Sequence, residues 1–560
     1  MLLVFLVGVI GIAALTLLGG TVSENFTDID AGLSDGGVGG GISSNVARGG
    51  DAEQAFVPAP APAQTAPPQT APPQTAPPTT VASNAEEGLF GLVEIGPDGT
   101  DEIIGNTPID SRFIDYGIRT FIDTGSDPLS TFALDVDTGS YTVARRYLGE
   151  GQLPPRESVR VEEYVNFFDY DYVAPDSGLS FGVDGGPSPF GDETYVLRVG
   201  VQAAELEADE RPPVALTFVV DTSGSMDSPD RLGLVKESLS LLVSQLQPSD
   251  TVAIVTYSGD SGVVLEPTAI LERNVILSAI DELRAGGSTN LESGLTTGYD
   301  LAERAFRDDG VNRVIVASDG LANAGVTSAD LLADSIRDSA DNGIGLVTVG
   351  YGLNGFSDPT MEQLADQGDG FYAYVDNIGE AERLFAADLT STLITAAVDA
   401  KIQVEFNEDI VTQYRLIGYE NRAVADEDFR NDEIDAGELG AGHQATAIYE
   451  VRLADGVNPS SDAVLGRVNL RWEDPDTRDV NEVSRNVGAS QINPNWAETR
   501  VDFRQAVVVA TFAEVLRDNP FADGVSMETL RNEAWSLADE TADYEYNEFA
   551  QLVEIASVSP

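Results

Sequence analysis

The sequence predicts an α/β protein centred on an open, doubly wound, mostly parallel Rossmann-like sheet. Between residues 212 and 392, strand-like and helix-like segments alternate regularly, which is typical of doubly wound sheets. The strand-like segments are nearly continuous in Val, Ile and Ala, as expected for strands buried on both faces. A small α+β domain precedes this region, and a domain of strands followed by helices comes after it. Several domains are expected because 560 residues are too many for one hydrophobic core.

Five segments are predicted along the chain. Residues 1–20 form a signal anchor or a signal peptide, and residues 21–109 form a disordered linker rich in Pro and Gly. The small N-terminal domain covers residues 110–208. The central domain covers residues 212–395, and the C-terminal domain covers residues 399–560.

The first two segments bear on localisation. Leu2–Leu18 is apolar and uncharged, a length that is borderline for a membrane span and long for a signal-peptide core. A retained anchor predicts a single-pass protein of the cell membrane with its C-terminal part extracytoplasmic, and a cleaved signal predicts a secreted or periplasmic protein. The unit TAPPQ repeats between Thr65 and Thr80. Proline pairs favour an extended polyproline II rod, so we expect a spacer; the rival interpretation is a ligand for proline-binding domains.

The central domain contains the alternating elements. Its predicted strands are Val214–Val220, Thr251–Tyr257, Arg313–Ala317, Gly345–Val349 and Phe371–Val375. Its predicted helices are Arg231–Leu246, Arg273–Arg284, Leu291–Phe306, Ala329–Asn342, Thr360–Gln367 and Gly379–Phe385. Ligands of such sheets bind beyond the carboxyl ends of the strands, which is where Asp221 and Asp319 lie.

The flanking domains have their own patterns. The N-terminal domain has predicted strands at Ser130–Val136, Leu179–Val183 and Tyr195–Val201 and predicted helices at Ser140–Leu148 and Val159–Phe168. In the C-terminal domain apolar and polar residues alternate, as in half-buried antiparallel strands, in KIQVEF, TQYRLIG, ATAIYEVRL and AVLGRVNLRW. Helices are predicted after them at Asp502–Leu516, Met527–Leu537 and Tyr546–Ala556.

Two acidic stretches in the flanking domains resemble metal loops. Asp135–Ser140 reads DVDTGS, and we expect it to cap the helix that begins near Tyr141, because Asp and Ser satisfy free helix N–H groups. The second stretch contains Asp426, Asp428, Asp432 and Asp435. It fails the EF-hand pattern, because Arg430 stands at a ligand position and Asn431 stands where the loop needs Gly. A solvated hairpin loop is therefore expected there.

The composition excludes several classes of function. A net charge of −62 argues against nucleic acid and anionic lipid as partners, so contact with a membrane is expected only through the N-terminal anchor. The chain has no Cys, and its single His is His443, which we expect to be a structural or surface residue. The sequence contains no nucleophile-elbow or phosphate-loop motif. We therefore expect a protein that is not an enzyme.

Three short stretches of the central domain carry oxygen ligands. The first is Asp221, Ser223 and Ser225 in LTFVVDTSGSM; the second is Thr289 in GGSTN; the third is Asp319 in VIVASDG. Each alone would be an ordinary turn or helix cap, but in a parallel sheet all three loops lie at one edge. Carboxylates and hydroxyls suit Mg²⁺, or Mn²⁺ or Ca²⁺. These five residues leave the ion short of ligands, so an acidic group of a partner is expected to complete the coordination.

Residues 212–392 resemble a von Willebrand factor type A (VWA) domain. The metal-ion-dependent adhesion site of that family has the pattern Asp-x-Ser-x-Ser, then Thr, then Asp, matched here by Asp221, Ser223, Ser225, Thr289 and Asp319. The resemblance implies that the two Ser residues bind the metal directly, that Thr289 does so in the ligand-engaged state, and that the two Asp residues bind directly or through water. The flanks, including DPLSTFALDVDTGSYTVARRYL and YRLIGYENRAVADEDFRNDEIDAGELGAGH, resemble those of bacterial YfbK-like envelope proteins.

The resemblance implies VWA-mediated binding at the cell envelope. The leading hypothesis is a metal-dependent protein-binding protein, for adhesion or complex assembly, that engages an acidic residue of a partner through the ion. One alternative is a metal-assisted hydrolase with Asp319 or Asp221 as the acid/base group. The other is an envelope scaffold in which the ion merely orders the loops.

Overall fold

The computed structural model describes residues 113–190, 194–206, 211–320, 336–353, 358–431, 434, 436–457 and 461–559. All of them belong to one compact unit, Thr100–Pro560. The predicted signal segment and the linker lie outside the described residues. Within the described ranges, no helix combines the length and apolar character that crossing a bilayer requires.

The elements of the described chain follow in order. The strands are β1 (Ile122–Asp123), β2 (Leu129–Ala133), β3 (Leu179–Pro187), β4 (Tyr195–Ala203), β5 (Val214–Asp221), β6 (Thr251–Tyr257), β7 (Ser261–Ala269), β8 (Val311–Ser318), β9 (Ile344–Tyr351), β10 (Tyr372–Val375), β11 (Thr395–Phe406), β12 (Val411–Ile417), β13 (Gly437–Gly440), β14 (Gln444–Leu453), β15 (Val464–Glu473) and β16 (Val480–Gly488). The helices are α1 (Gly139–Gly149), α2 (Val161–Asn166), α3 (Leu234–Gln245), α4 (Arg273–Asp281), α5 (Leu291–Ala305), α6 (Asp358–Asp366), α7 (Ile378–Glu382), α8 (Leu389–Leu393), α9 (Val501–Leu516), α10 (Met527–Thr541) and α11 (Tyr544–Val558). Of the predicted helix Ala329–Asn342, residues 329–335 lie outside the described residues, and residues 336–341 are helical.

The described part of the central domain is a sheet in the order β10-β9-β8-β5-β6-β7. Its strands run parallel except β7, which pairs with β6 antiparallel at one edge. Every residue of β5 is buried, because apolar side chains cover both faces of the sheet. The predicted doubly wound, mostly parallel sheet is confirmed. The sequence missed β7, whose residues Gly262, Val263 and Val264 are exposed, so that it lacks a buried apolar run.

A sandwich of two antiparallel sheets flanks the central domain. One sheet has the order β1-β12-β14-β4-β3, and the other has the order β13-β11-β15-β16, with β2 also paired to β11. Their inner faces share one apolar core, which includes Phe132, Val199, Val404, Tyr449 and Leu470. Apolar residues packed between two sheets in this way explain the alternating pattern of the strands.

Both flanking segments of the chain build this sandwich. Strand β4 pairs with β14 from Tyr195 to Gln202, and β2 pairs with β11 from Leu129 to Ala133. The segments 110–208 and 399–560, which the sequence delimits separately, therefore contribute to the same sheets. The central domain is inserted between β4 and β11.

A layer of helices covers the outer face of the first sheet. Helices α1, α2, α9, α10 and α11 share an apolar core with the outward residues Val196, Ile417 and Ile448 of that sheet. Helix α1 also reaches the central domain, because Val143 and Tyr147 join the core on one face of the parallel sheet. The flanking body thus packs directly against the domain that carries the candidate site.

The DVDTGS loop ahead of α1 does not cap the helix as expected, because α1 has no side-chain cap. Instead the N–H of Ser140 donates to Oε2 of Glu163 over 2.6 Å. Asp137 Oδ1 accepts a hydrogen bond from the N–H of Tyr372 over 2.9 Å. The prediction of a cap is wrong because the acidic side chain faces the neighbouring domain, and the loop joins α1 to the central sheet.

A buried arginine of the C-terminal segment links all three parts of the chain. Nη2 of Arg422 lies 3.1 Å from Asp137 Oδ2 in the N-terminal segment and 3.4 Å from Glu362 Oε1 in the central domain. Its other nitrogens lie 3.4 Å from Asp135 and 2.9 Å from Asp366. Three of these four carboxylates, all but that of Asp366, are buried, so removal of the guanidinium would leave like charges facing each other away from water.

Two further arginines make similar contacts. The Arg145 guanidinium lies 2.6, 2.8 and 3.2 Å from the carboxylates of Asp376, Glu380 and Glu548. The guanidinium of Arg160 pairs with the buried carboxylates of Glu163 and Asp358. Each arginine therefore connects the flanking body to the α6–α7 region of the central domain.

The second acidic stretch is folded rather than an open hairpin loop. Asp426–Arg430 forms a short 3-10 turn, in which Asp426 Oδ1 accepts a hydrogen bond from Thr131 Oγ1 over 2.5 Å. Asp428 Oδ1 accepts from Nδ2 of Asn431 over 3.0 Å. Residues 432 and 435 lie outside the described residues. Both described carboxylates are thus engaged by protein groups.

His443 has a structural role. Its Nδ1 accepts the N–H of Gly440 over 3.1 Å, and its ring lies edge-on to Phe371. Burial lowers the pKa of His443 to about 4, and the charge of Arg383 adds to the effect. The imidazole is therefore neutral in the folded protein at pH 7.

We expect that replacing Arg422 by Met will lower the free energy of unfolding by about 3–5 kcal/mol, since buried carboxylates lose their counter-charge. Urea denaturation measures the loss. Arg304→Met is the control, because the Arg304–Glu266 pair is exposed on both sides, at 56% and 64%, and should change stability by less than about 1 kcal/mol. Equal losses in the two variants would contradict a special role for Arg422.

We expect the single imidazole to titrate with a pKa of about 4 in the folded protein. The unfolded chain takes up this proton near pH ~6.5, so the contribution of His443 to stability is complete above that pH and is lost as pH falls toward 4. Proton NMR of the ring measures the pKa without assignment, because the chain has one His. A resonance that titrates near the unfolded value in the folded protein would refute the burial argument.

Candidate metal centre

The first loop of the candidate site follows the central strand β5. This strand is buried along its whole length and ends at Asp221. The N–H of Ser223 donates to Asp221 Oδ1 over 2.8 Å, which turns the chain sharply at the sheet edge. A short 3-10 turn follows at Gly224–Met226. As a result the hydroxyl oxygens of Ser223 and Ser225 lie 2.9 Å apart.

The second loop, which carries Thr289, is hydrogen-bonded to the first. The N–H of Gly286 donates to the carbonyl of Thr222 over 2.7 Å, and the N–H of Gly224 donates to the carbonyl of Gly287 over 3.0 Å. Gly287 has a φ of +95°, a conformation that favours glycine. Thr289 is buried immediately ahead of helix α5, and the two backbone bonds fix its loop beside Ser223 and Ser225.

The third loop follows β8 and contacts Asp221 directly. Ser318, the last residue of β8, donates from its hydroxyl to Asp221 Oδ2 over 2.9 Å. The next residue is Asp319, which is fully buried, as is Asp221. Because β5 and β8 are neighbouring parallel strands, their carboxyl ends deliver both carboxylates to one edge.

The electrostatics of this edge favour a cation. Burial raises the pKa of Asp221 to about 7, and the nearby charge of Asp319 raises it further, while hydrogen bonds from Ser223 and Ser318 oppose the shift. Two carboxylates removed from water repel each other unless a positive charge or a proton lies between them. A bound divalent ion would relieve this repulsion.

Arg231 supplies one positive charge at this edge. Its Nη1 donates to Asp319 Oδ2 over 2.8 Å and to the carbonyl of Ser225 over 2.6 Å. The sequence prediction placed Arg231 at the start of a helix but gave it no role at the site; in the structure it lies in a π-helical turn, Pro229–Gly233, that runs directly into α3. Ser318 was likewise missed, because it reads as the end of a strand. The sequence signals for these two residues are their positions: Ser318 directly precedes Asp319, and Arg231 lies ten residues after Asp221.

The residues at this edge fit a hard divalent ion. The structure brings Asp221, Ser223, Ser225, Thr289 and Asp319 to one edge through three loops joined by hydrogen bonds. In the described ranges no group of three or more His, Cys, Asp and Glu side chains could hold a metal, so a site here depends on hydroxyl oxygens as well as carboxylates. Oxygen donors of this kind suit Mg²⁺, Mn²⁺ or Ca²⁺.

Part of the rim of this edge is exposed among the described residues. Gly224, Gly287 and Ser288 are exposed, and Ser225 is half-buried, so small residues surround the buried carboxylates. Among the five candidate residues, Ser225 is the one that is half-buried rather than buried, so a group from another molecule would meet the site beside Ser225.

Comparison with known families divides the chain into three matched parts. Residues 215–387 match the von Willebrand factor type A domain, residues 108–198 match a family described as von Willebrand factor, and residues 391–558 match the C-terminal region of uncharacterized protein YfbK. A solved structure described as von Willebrand factor type A from Catenulispora acidiphila covers 67% of this chain and 89% of that chain, at 16% identity and a TM-score of 0.39. A TM-score this low supports no conclusion about function.

Two relatives align in sequence over more than two thirds of their length. Uncharacterized protein sll0103 of Synechocystis sp. is 25% identical over 51% of this chain and 68% of that protein. Uncharacterized protein YfbK of Escherichia coli is 34% identical over 474 residues, which cover 80% of this chain and 81% of that protein. At this identity and coverage, together with the matching C-terminal region, the chain belongs to the YfbK family of VWA-domain proteins.

Proposed function

We propose that this protein binds other proteins at the bacterial cell envelope through a divalent ion held by its VWA domain. The ion is Mg²⁺, with Mn²⁺ or Ca²⁺ as alternatives. The observation that carries the proposal is the pair of fully buried carboxylates, Asp221 and Asp319, at a sheet edge lined with hydroxyl groups. VWA domains commonly mediate contacts between proteins, which supports the same conclusion.

The proposed ligands are Asp221, Ser223, Ser225, Thr289 and Asp319. A bound ion would supply a point of positive charge that attracts a carboxylate. Mg²⁺ takes six oxygen ligands in near-octahedral geometry, so five residues leave room for an acidic side chain of a partner. Because the net charge of −62 repels acidic partners elsewhere on the surface, the ion would also select where such a partner binds.

The proposed location is outside the cytoplasmic membrane. The apolar stretch Leu2–Leu18 and the proline-rich linker support an anchored domain held away from the membrane. The same stretch, if cleaved, supports a secreted or periplasmic protein.

We propose a binding protein rather than an enzyme, since the described residues supply no separate acid/base partner at the site. The basic group in contact with the site is Arg231, whose guanidinium does not deprotonate in proteins. Two other side chains that could exchange a proton are engaged by the backbone of the C-terminal segment. His443 Nδ1 accepts a backbone N–H, and Nζ of Lys401 donates to the carbonyl of Asn431 over 3.0 Å. The alternative, a metal-assisted hydrolase, is favoured by one observation, a pKa of about 7 for Asp221.

We expect Ser223→Ala and Asp221→Ala each to abolish Mg²⁺ binding and the capture of envelope proteins, because each removes a proposed ligand. Isothermal titration measures the ion, and a pull-down from envelope extract with and without EDTA measures capture. Ser238→Ala is the matched control, since that buried hydroxyl donates within helix α3 to the carbonyl of Leu234.

Capture that persists in EDTA, or in a folded Asp221→Ala variant, would refute the ion-mediated mechanism. Turnover in a screen of hydrolase substrates with Mg²⁺ and Mn²⁺, lost on mutating Asp319, would establish the enzyme instead. An ion that binds tightly and is insensitive to added partner would indicate a scaffold.

A further inference from the structure

We propose that Arg231 competes with the divalent ion for Asp319 and thereby sets how tightly the site binds metal. This inference rests on the proposed function, because it concerns the same ion. It assigns a residue outside the five proposed ligands to the control of their affinity.

A single nitrogen of Arg231 joins two loops of the site. Its Nη1 donates to Oδ2 of Asp319 and to the carbonyl of Ser225, over 2.8 and 2.6 Å. The Arg231 side chain is 10% exposed and Asp319 is not exposed at all. The ion pair therefore forms away from water, where charges interact more strongly than at the surface.

The position of the guanidinium is enforced by its surroundings. Gly352, just after β9, has a φ of +71°, and a Cβ on it would approach Nε of Arg231 to 2.6 Å. The absence of a side chain at this glycine lets the arginine lie against the backbone. Asp230, the preceding residue, also pairs with Arg146 of α1 over 3.2 Å, so the turn that carries Arg231 is held from both sides.

Competition follows from charge and from geometry. An ion that uses Asp319 must share a carboxylate that already accepts a charged hydrogen bond, and it must approach a fixed positive charge. Both effects weaken metal binding. Arginine stays protonated at all accessible pH values, so its competition, unlike that of a proton, does not vary with pH.

We test the competition in the full chain with Arg231→Met, which keeps much of the side-chain length, and Arg231→Gln, which can retain a hydrogen bond to the Ser225 carbonyl. Titration calorimetry with Mg²⁺ and with Mn²⁺ alone measures affinity, and melting temperature in EDTA and in Mg²⁺ measures linked stability. We expect affinity to rise about tenfold or more in both variants, in line with the strength of charged hydrogen bonds. The gain in melting temperature on adding Mg²⁺ should exceed that of the wild type.

The matched control is Arg211→Met. Arg211 forms an equally buried pair with Asp250, over 2.6 Å, ahead of β5 and β6 at the opposite edge of the sheet. The Arg211→Met variant should be less stable than the wild type but should bind the metal with unchanged affinity.

The outcomes separate this inference from the proposed function. A wild type that binds metal, with unchanged or weaker binding in the folded Arg231 variants, overturns the role of Arg231 and leaves the metal site standing. Absence of binding in the wild type and in every variant overturns both. If Arg231→Met fails to fold, Arg231→Gln decides the question by the same measurement.

Discussion

Buried pairs of arginine and carboxylate hold the VWA domain to the flanking body. Arg145, Arg160 and Arg422 each contact the α6–α7 region from the N-terminal or C-terminal segment. Burial raises the pKa of Glu362 to about 7 although the charges of Arg160 and Arg422 lower it, so the cost of removing this carboxyl group from water outweighs its attraction to the arginines. Buried ion pairs stabilise a fold little more than apolar packing would, but breaking one of them costs much free energy. We therefore expect these pairs to set the relative orientation of the VWA domain and the flanking body more than they add to the free energy of unfolding.

The local pattern of the sequence predicted the parallel sheet but not the assembly around it. Continuous apolar runs identified β5, β6 and β8, because strands buried on both faces must be apolar throughout. Strand β16 was missed because its sequence VNEVSRNVG is largely exposed. The pairing of β4 with β14 could not be predicted at all, because a contact between strands on either side of an inserted domain leaves no periodic signal in either.

The candidate site could be predicted best where a proposed ligand stands at the end of a buried strand. Asp221 and Asp319 stand out because polar oxygens there end or directly follow buried strands, whereas Thr289 lies in the loop ahead of helix α5. Arg231 does not stand out, since an arginine at the start of a helix is ordinary and its contact with Asp319 joins two distant loops. The positive charge at the site therefore emerges only from the three-dimensional arrangement. The residue before Arg231, Asp230, pairs with Arg146 of the flanking body.

The insertion of the VWA domain between β4 and β11 determines how the protein would carry tension. Both ends of the domain continue into strands of one sandwich, β4 and β11. A pull on residue 113 acts first where Phe113 packs against the core of the parallel sheet, and then reaches the sandwich through β1 and β2. Strand β2 lies antiparallel to β11 from Leu129 to Ala133, and a force along it shears several hydrogen bonds at once. Beyond Phe113, such a force would therefore load the hydrogen bonds of the sandwich before those between the strands of the VWA sheet.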